Sequence, residues 1–117
     1  MKNSHNFLEI FDEVAELRDN LATCTEEKDW IKWKVIHSKR VLKIGIEILD
    51  REKELKEISY KYRNEAQASL LLHDIGRFYQ YHDGEFKSIK HGLLATEILL
   101  DEYNIKNPYI LLPIKYH

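Results

Sequence analysis

One cysteine, two prolines and four glycines are all that this 117-residue chain has of those residue types. With Cys24 alone no intrachain disulfide can form, which suits a reduced thiol in the cytoplasm and leaves no thiolate set for a structural zinc site. The scarcity of proline and glycine removes the usual helix breakers and argues against disorder. Charge of one sign is also missing. A net charge of -2 gives no electrostatic reason to expect a nucleic-acid polymer or a membrane surface as partner. The first residues lead into Phe7-Leu8-Glu9-Ile10-Phe11-Asp12-Glu13, which is amphipathic and acidic, so it reads as neither signal peptide nor membrane span.

What is present is a helical pattern. Hydrophobic residues at 44% and charged residues at 32% describe one all-α domain over the whole chain, a bundle of about five helices. The first is expected from about Asn6 to Leu21, capped by Ser4, with Phe7, Ile10, Val14, Leu17 and Leu21 on one stripe. Thr23-Cys24-Thr25-Glu26 has capping-box spacing and opens a second helix reaching about Asp50. Its rows Val35-Leu42-Ile46-Leu49 and His37-Val41-Ile44-Ile48 make it apolar nearly all round, which predicts a central position. A third helix is expected from about Leu55 to Leu72, delivering His73-Asp74 in its last turn and stopped by Gly76. Ser88 is expected to cap a fourth, ending near Tyr103; Pro108 opens a fifth, which Pro113 should kink. No strand pair is expected.

Four histidines continue apolar rows at helical spacing. His37 lies in register with Val41 and Ile44, His73 with Leu70 and Ala66, His91 with Leu94 and Ile98, and His117 with Ile114 and Ile110. A lone histidine on such a face is ordinarily a satisfied core residue. Four of them with Asp74 are different, because burying several imidazoles and a carboxylate is costly unless they are paired or bound to metal. Imidazole and carboxylate donors suit divalent Fe, Mn, Ni, Co or Zn.

These residues resemble the HD superfamily of metal-dependent phosphohydrolases, which places an early His, a central His-Asp pair and a late Asp on a helical bundle. His37, in Val35-Ile36-His37-Ser38, resembles the first ligand, and His73-Asp74-Ile75-Gly76 resembles the signature doublet. His91 and His117 are similar to the extra histidines of the subgroup holding two metals bridged by the doublet aspartate. The resemblance covers about residues 30 to 117 and leaves the first helix outside. It implies one or two divalent metals per chain, with His37 and His73 on the first, His91 and His117 on the second and Asp74 between. The implied reaction is hydrolysis of a small phosphate ester, nucleotides included.

Arg77, one turn past the doublet, is the candidate phosphate clamp beside Asp74, since its fork can hold two oxygens; the plainer reading is a helix-end charge. Lys87, Lys90 and Lys115 flank the histidines in sequence, though a solvated lysine is the commoner case. Tyr79 and Tyr81 could stack on a base or simply pack. His5 and His82 stand apart from the site, and His82 is expected in solvent.

No residue matches the family's late Asp. Asp101 and Asp83 are wrongly placed, so the chain reads as an HD domain ending before its last helices. That reading predicts weak metal occupancy, low activity and a homodimer through apolar faces left exposed at Ile110, Leu111, Leu112 and Ile114. Two other readings stand beside the hydrolase: a helical binding or structural module without turnover, and a di-iron oxygenase.

Overall fold

The computed structural model describes residues 6–51, 53–82, 85–87 and 89–116, with side chains at all of these except 53–61 and 86. Among them are five α-helices: α1 Phe7–Leu21, α2 Thr25–Arg51, α3 Lys53–Leu72, α4 His91–Tyr103 and α5 Pro108–Lys115. A 3-10 helix, Ile75–Tyr79, and a small antiparallel hairpin, β1 Tyr81–His82 with β2 Glu85–Phe86, connect α3 to α4. The architecture is all-α, as expected, but the hairpin is a strand pair that was not. Two-residue strands are too short to show an alternating pattern.

Helix ends follow local chemistry. The Asn6 side-chain oxygen accepts from the N–H groups of Leu8 at 3.0 Å and Glu9 at 3.4 Å, so Asn6 caps α1; Ser4 lies outside the described residues. The Thr23 amide and hydroxyl both donate to Glu27 Oε1, at 3.3 and 3.4 Å. The carboxylate that reaches back over the start of α2 is therefore Glu27 and not Glu26. At the end of α4, Asn104 takes the left-handed conformation at φ 55°, and Ile105 N–H donates to the Leu99 carbonyl at 2.9 Å. Lys90 precedes α4 without a side-chain capping bond, while Ser88, the expected cap, is outside the described residues.

α5 runs through Pro113 to Lys115. Proline cannot donate to the carbonyl four residues back, which here is Tyr109. The Ser69 hydroxyl of α3 lies 3.4 Å from that oxygen and 3.3 Å from the Ile110 carbonyl, so a neighbouring helix supplies the missing donor.

The core gathers Phe11 and Val14 of α1, Leu71 and Leu72 of α3, Ile75 and Phe78 of the 3-10 helix, Leu99 of α4, and Ile110 and Ile114 of α5, all buried. Each such side chain contributes about 1.5–3 kcal/mol by leaving water. Phe11 and Phe78 meet with ring centres 5.6 Å apart, fixing α1 beneath the segment that follows Asp74. The α1 stripe is turned from its expected setting: Phe11 and Ala15 are buried, whereas Leu17 and Leu21 are half exposed.

α2 does not sit at the centre. Its buried residues are Glu27, Ile31 and Ser38, while Trp33, Ile36, Ile44 and Ile48 are exposed. α3, α1, the 3-10 helix and β1 pack against it, and its exposed apolar residues lie outside those contacts. The C-terminal segment departs from expectation in the opposite sense. Ile110, Leu111 and Ile114 are buried, and of the four residues expected on an open apolar face only Leu112 is exposed.

Candidate metal centre

α3 ends at Leu72, so His73 and Asp74 occupy the turn after it, not its last turn. Gly76 lies inside the 3-10 helix and is not a helix stop. Asp74 is 4% exposed, and its carboxylate is where the elements meet. His37 Nε2, from the middle of α2, lies 3.3 Å from Asp74 Oδ2, and His73 Nε2 lies 3.2 Å from the same oxygen. His91 Nε2, from the first residue of α4, stands 3.9 Å from the other oxygen, Oδ1. The His37 imidazole is nearly half exposed, so this histidine faces an opening and not the core.

His73 is fixed in orientation. A carbonyl can only accept, so the 2.7 Å contact between His73 Nδ1 and the Leu70 oxygen is an N–H donation that leaves Nε2 directed at Asp74. Burial opposes charge on this ring. The hydrogen bond and charge of Asp74, with the Leu70 carbonyl, outweigh it and raise the His73 pKa above its ordinary value.

The donor atoms fit a metal. His37, His73 and Asp74 each offer one ligand atom, all within 4.8 Å of one another. Donors bound about 2.1 Å from one ion stand roughly 3.0–3.4 Å apart, which is the spacing both imidazoles show to Asp74 Oδ2. Asp74 also turns its second oxygen toward His91. His117 lies outside the described residues.

Arg77 is held on several sides. Its Nε is 3.3 Å from Asp74 Oδ1, one terminal nitrogen donates to Gln80 Oε1 at 3.1 Å, and its carbonyl accepts the Trp30 indole N–H at 2.8 Å. Gly76 sets the position of His91. A Cβ there would come within 2.1 Å of the His91 carbonyl oxygen, so only glycine lets the 3-10 helix lie against the start of α4. Gly92 plays the same part toward α5, where a Cβ would meet the Ile114 carbonyl at 2.7 Å.

Two groups at the site escape a reading of the sequence. Lys34 lies one turn before His37 with its ammonium 4.8 Å from the Trp30 ring centre, and Trp30 binds Arg77. The spacing Trp30, Lys34, His37 is a helix-face signal that could have revealed it. The second is Glu27, which is fully buried and accepts from His82 Nδ1 at 2.9 Å, with an Arg18 terminal nitrogen at 4.0 Å. His82 is thus a hydrogen-bond partner of a buried carboxylate in the support behind the site, not a solvent residue.

The aromatic residues pack. Tyr81 stacks on Trp30 with centres 6.4 Å apart, and Arg18 covers the Tyr79 ring at 4.4 Å. Lys87 is exposed, while Lys90 and Lys115 line a cleft of about 440 Å³ with His91, Gly92 and Tyr116.

An all-α fold in which histidines from separate elements meet a buried His-Asp doublet defines a class of helical domains able to hold a metal. The HD domain family matches residues 35–117, more than two thirds of the chain, and the protein belongs to that family. No curated protein and no solved structure matches it. Among the described residues no helix is long and apolar enough to cross a membrane.

Proposed function

We propose that this protein is a metal-dependent phosphohydrolase acting on a small phosphate ester, with nucleotides among its substrates and the cytoplasm as its setting. One observation carries the reading: His37 and His73 converge on one oxygen of a buried aspartate in a chain of the HD family. His37, His73 and Asp74 would hold one divalent ion from the Fe, Mn, Ni, Co and Zn group. Asp74 Oδ1, toward His91, would serve a second ion together with His91 and His117.

When bound, such an ion supplies Lewis acidity and lowers the pKa of its water. The chain's own groups supply position. Leu70 fixes the His73 ring, Arg77 orients the Asp74 carboxylate, and the exposed side of His37 leaves a path for substrate. Arg77 already touches Asp74 and Gln80, so as a phosphate clamp it would act from a pre-set orientation.

The test is hydrolysis of p-nitrophenyl phosphate and a nucleotide panel by protein loaded in turn with Mn, Fe, Co, Ni or Zn, beside Asp74→Asn as control. Phosphate release that requires metal and disappears in the variant is expected. A metal-binding module without turnover is the second reading, favoured because Asp74 is the single carboxylate in the described ligand cluster. Tight metal binding with no hydrolysis under any metal would select it.

A further inference from the structure

We propose that Lys34 is the second arm of an anion clamp with Arg77, selecting the dianionic phosphate of a monoester over a singly charged diester. This deepens the phosphohydrolase reading and rests on it. Lys34 projects from the same face of α2 as His37, one turn earlier, and is partly buried. Its ammonium rests on the Trp30 ring at 4.8 Å, and the indole N–H of that ring donates to the Arg77 carbonyl at 2.8 Å. Trp30 therefore ties the Lys34 ammonium to the backbone of Arg77, whose guanidinium is itself held by Asp74 and Gln80.

Among the described residues no carboxylate forms an ion pair with Lys34; the surface lysines 28 and 39 each have one. Burial first, and then the charge of Arg77, push its pKa below that of an ordinary lysine, while Asp74 pulls it back. Asp74, the carboxylate of the described ligand cluster, faces two imidazoles and Arg77 as well. Of these three described groups, Lys34 and Arg77 carry two positive charges against the one negative charge of Asp74. A neighbourhood with surplus fixed positive charge and a stacked, pre-oriented ammonium favours an anion of higher charge. A monoester phosphate near neutral pH carries close to twice the charge of a diester.

The experiment uses the Mn(II)-loaded 117-residue chain and inorganic phosphate as probe, by titration calorimetry, for wild type, Lys34→Gln and Lys34→Arg. Mn(II) affinity is measured alongside. Phosphate affinity should fall about tenfold or more in Lys34→Gln, which corresponds to ~1.4 kcal/mol, and return largely in Lys34→Arg, with Mn(II) affinity unchanged. Where turnover is present, KM for p-nitrophenyl phosphate should rise more than kcat falls, and preference over bis(p-nitrophenyl) phosphate should narrow. Phosphate affinity indifferent to Lys34, or no phosphate binding by wild type, overturns the clamp. Phosphate binding that depends on Lys34 with no turnover in any variant supports the clamp and removes the hydrolase reading. Turnover with phosphate binding indifferent to Lys34 does the reverse.

Discussion

Around the 3-10 helix, Leu72, Ile75 and Phe78 are wholly buried, and Gly76 has no room for a methyl group. Along the far half of α2, by contrast, Ile44 and Ile48 are half exposed, and Ile48 borders a groove of about 530 Å³ that also takes in Leu49, Tyr62, Ala66 and Tyr109. The ligand cluster lies on the close-packed side. Ligand atoms must be held to fractions of an ångström, and a tightly packed interior transmits that constraint in a way a half-covered helix cannot. α2 belongs to both regions: its first half brings Glu27, Lys34 and His37 to the site, and its second half brings apolar surface that no described element covers.

The largest effect should come from the centre of the packed region. Asp74→Asn keeps the shape of the side chain but removes the negative charge that faces His37, His73 and Arg77. Loss of a partner that only orients a ligand typically costs about 10–100-fold in metal affinity, so loss of the ligand charge itself should exceed about 100-fold. Isothermal titration with Mn(II) or Zn(II) checks this. Unchanged affinity would place the metal elsewhere.

Second in size is Glu27→Ala. Removing a fully buried carboxylate leaves His82 and Arg18 without their anion, and breaking one side of a buried pair costs about 3–5 kcal/mol. Chemical denaturation should show the loss. A cost under about 1 kcal/mol would mean that the pair behaves as a surface one.

How much of this was legible in the sequence depends on whether a residue's partner is near in the chain. The five helices, the opening of α5 at Pro108 and the end of α4 at Tyr103 follow from periodicity and local capping, so they could be read directly. The meeting of His37 with His73 and Asp74 was legible because four histidines in register with apolar rows, together with a carboxylate, need a common explanation, although His37 faces an opening and not the core. His82 is not legible in this way, because its partner Glu27 stands 55 residues away and nothing local distinguishes it from a turn histidine. The same limit applies to α2. Periodicity shows which of its residues are apolar but not whether another helix arrives to cover them, so an apolar circumference does not establish a central position. Lys34 is not legible either, because a lysine beside tryptophans reads as solvated until its neighbours are known.

Gly76→Ala should rank third. The new methyl group would collide with the His91 carbonyl oxygen, an obstacle of backbone and not of a flexible side chain. Overpacking of this kind costs about 1–3 kcal/mol, and relief requires the 3-10 helix and α4 to separate. Melting temperature should fall. Because the separation moves His91 from Asp74 while leaving His37 and His73 in place, any second metal should be lost before the first. Equal loss of both ions, counted by metal analysis at graded occupancy, would show that His91 does not hold a separate ion.

The smallest effect should come from the open side of α2, and its smallness is what makes the comparison testable. Ile44→Thr keeps the branched shape, lies nearly two turns beyond His37, and changes a side chain that is 49% exposed. Surface changes away from special features usually fall within about 0.5 kcal/mol, and this one should do so with metal affinity unaltered. A drop in metal affinity in Ile44→Thr would show that the two halves of α2 move as one unit, and that the exposed half helps set the position of His37.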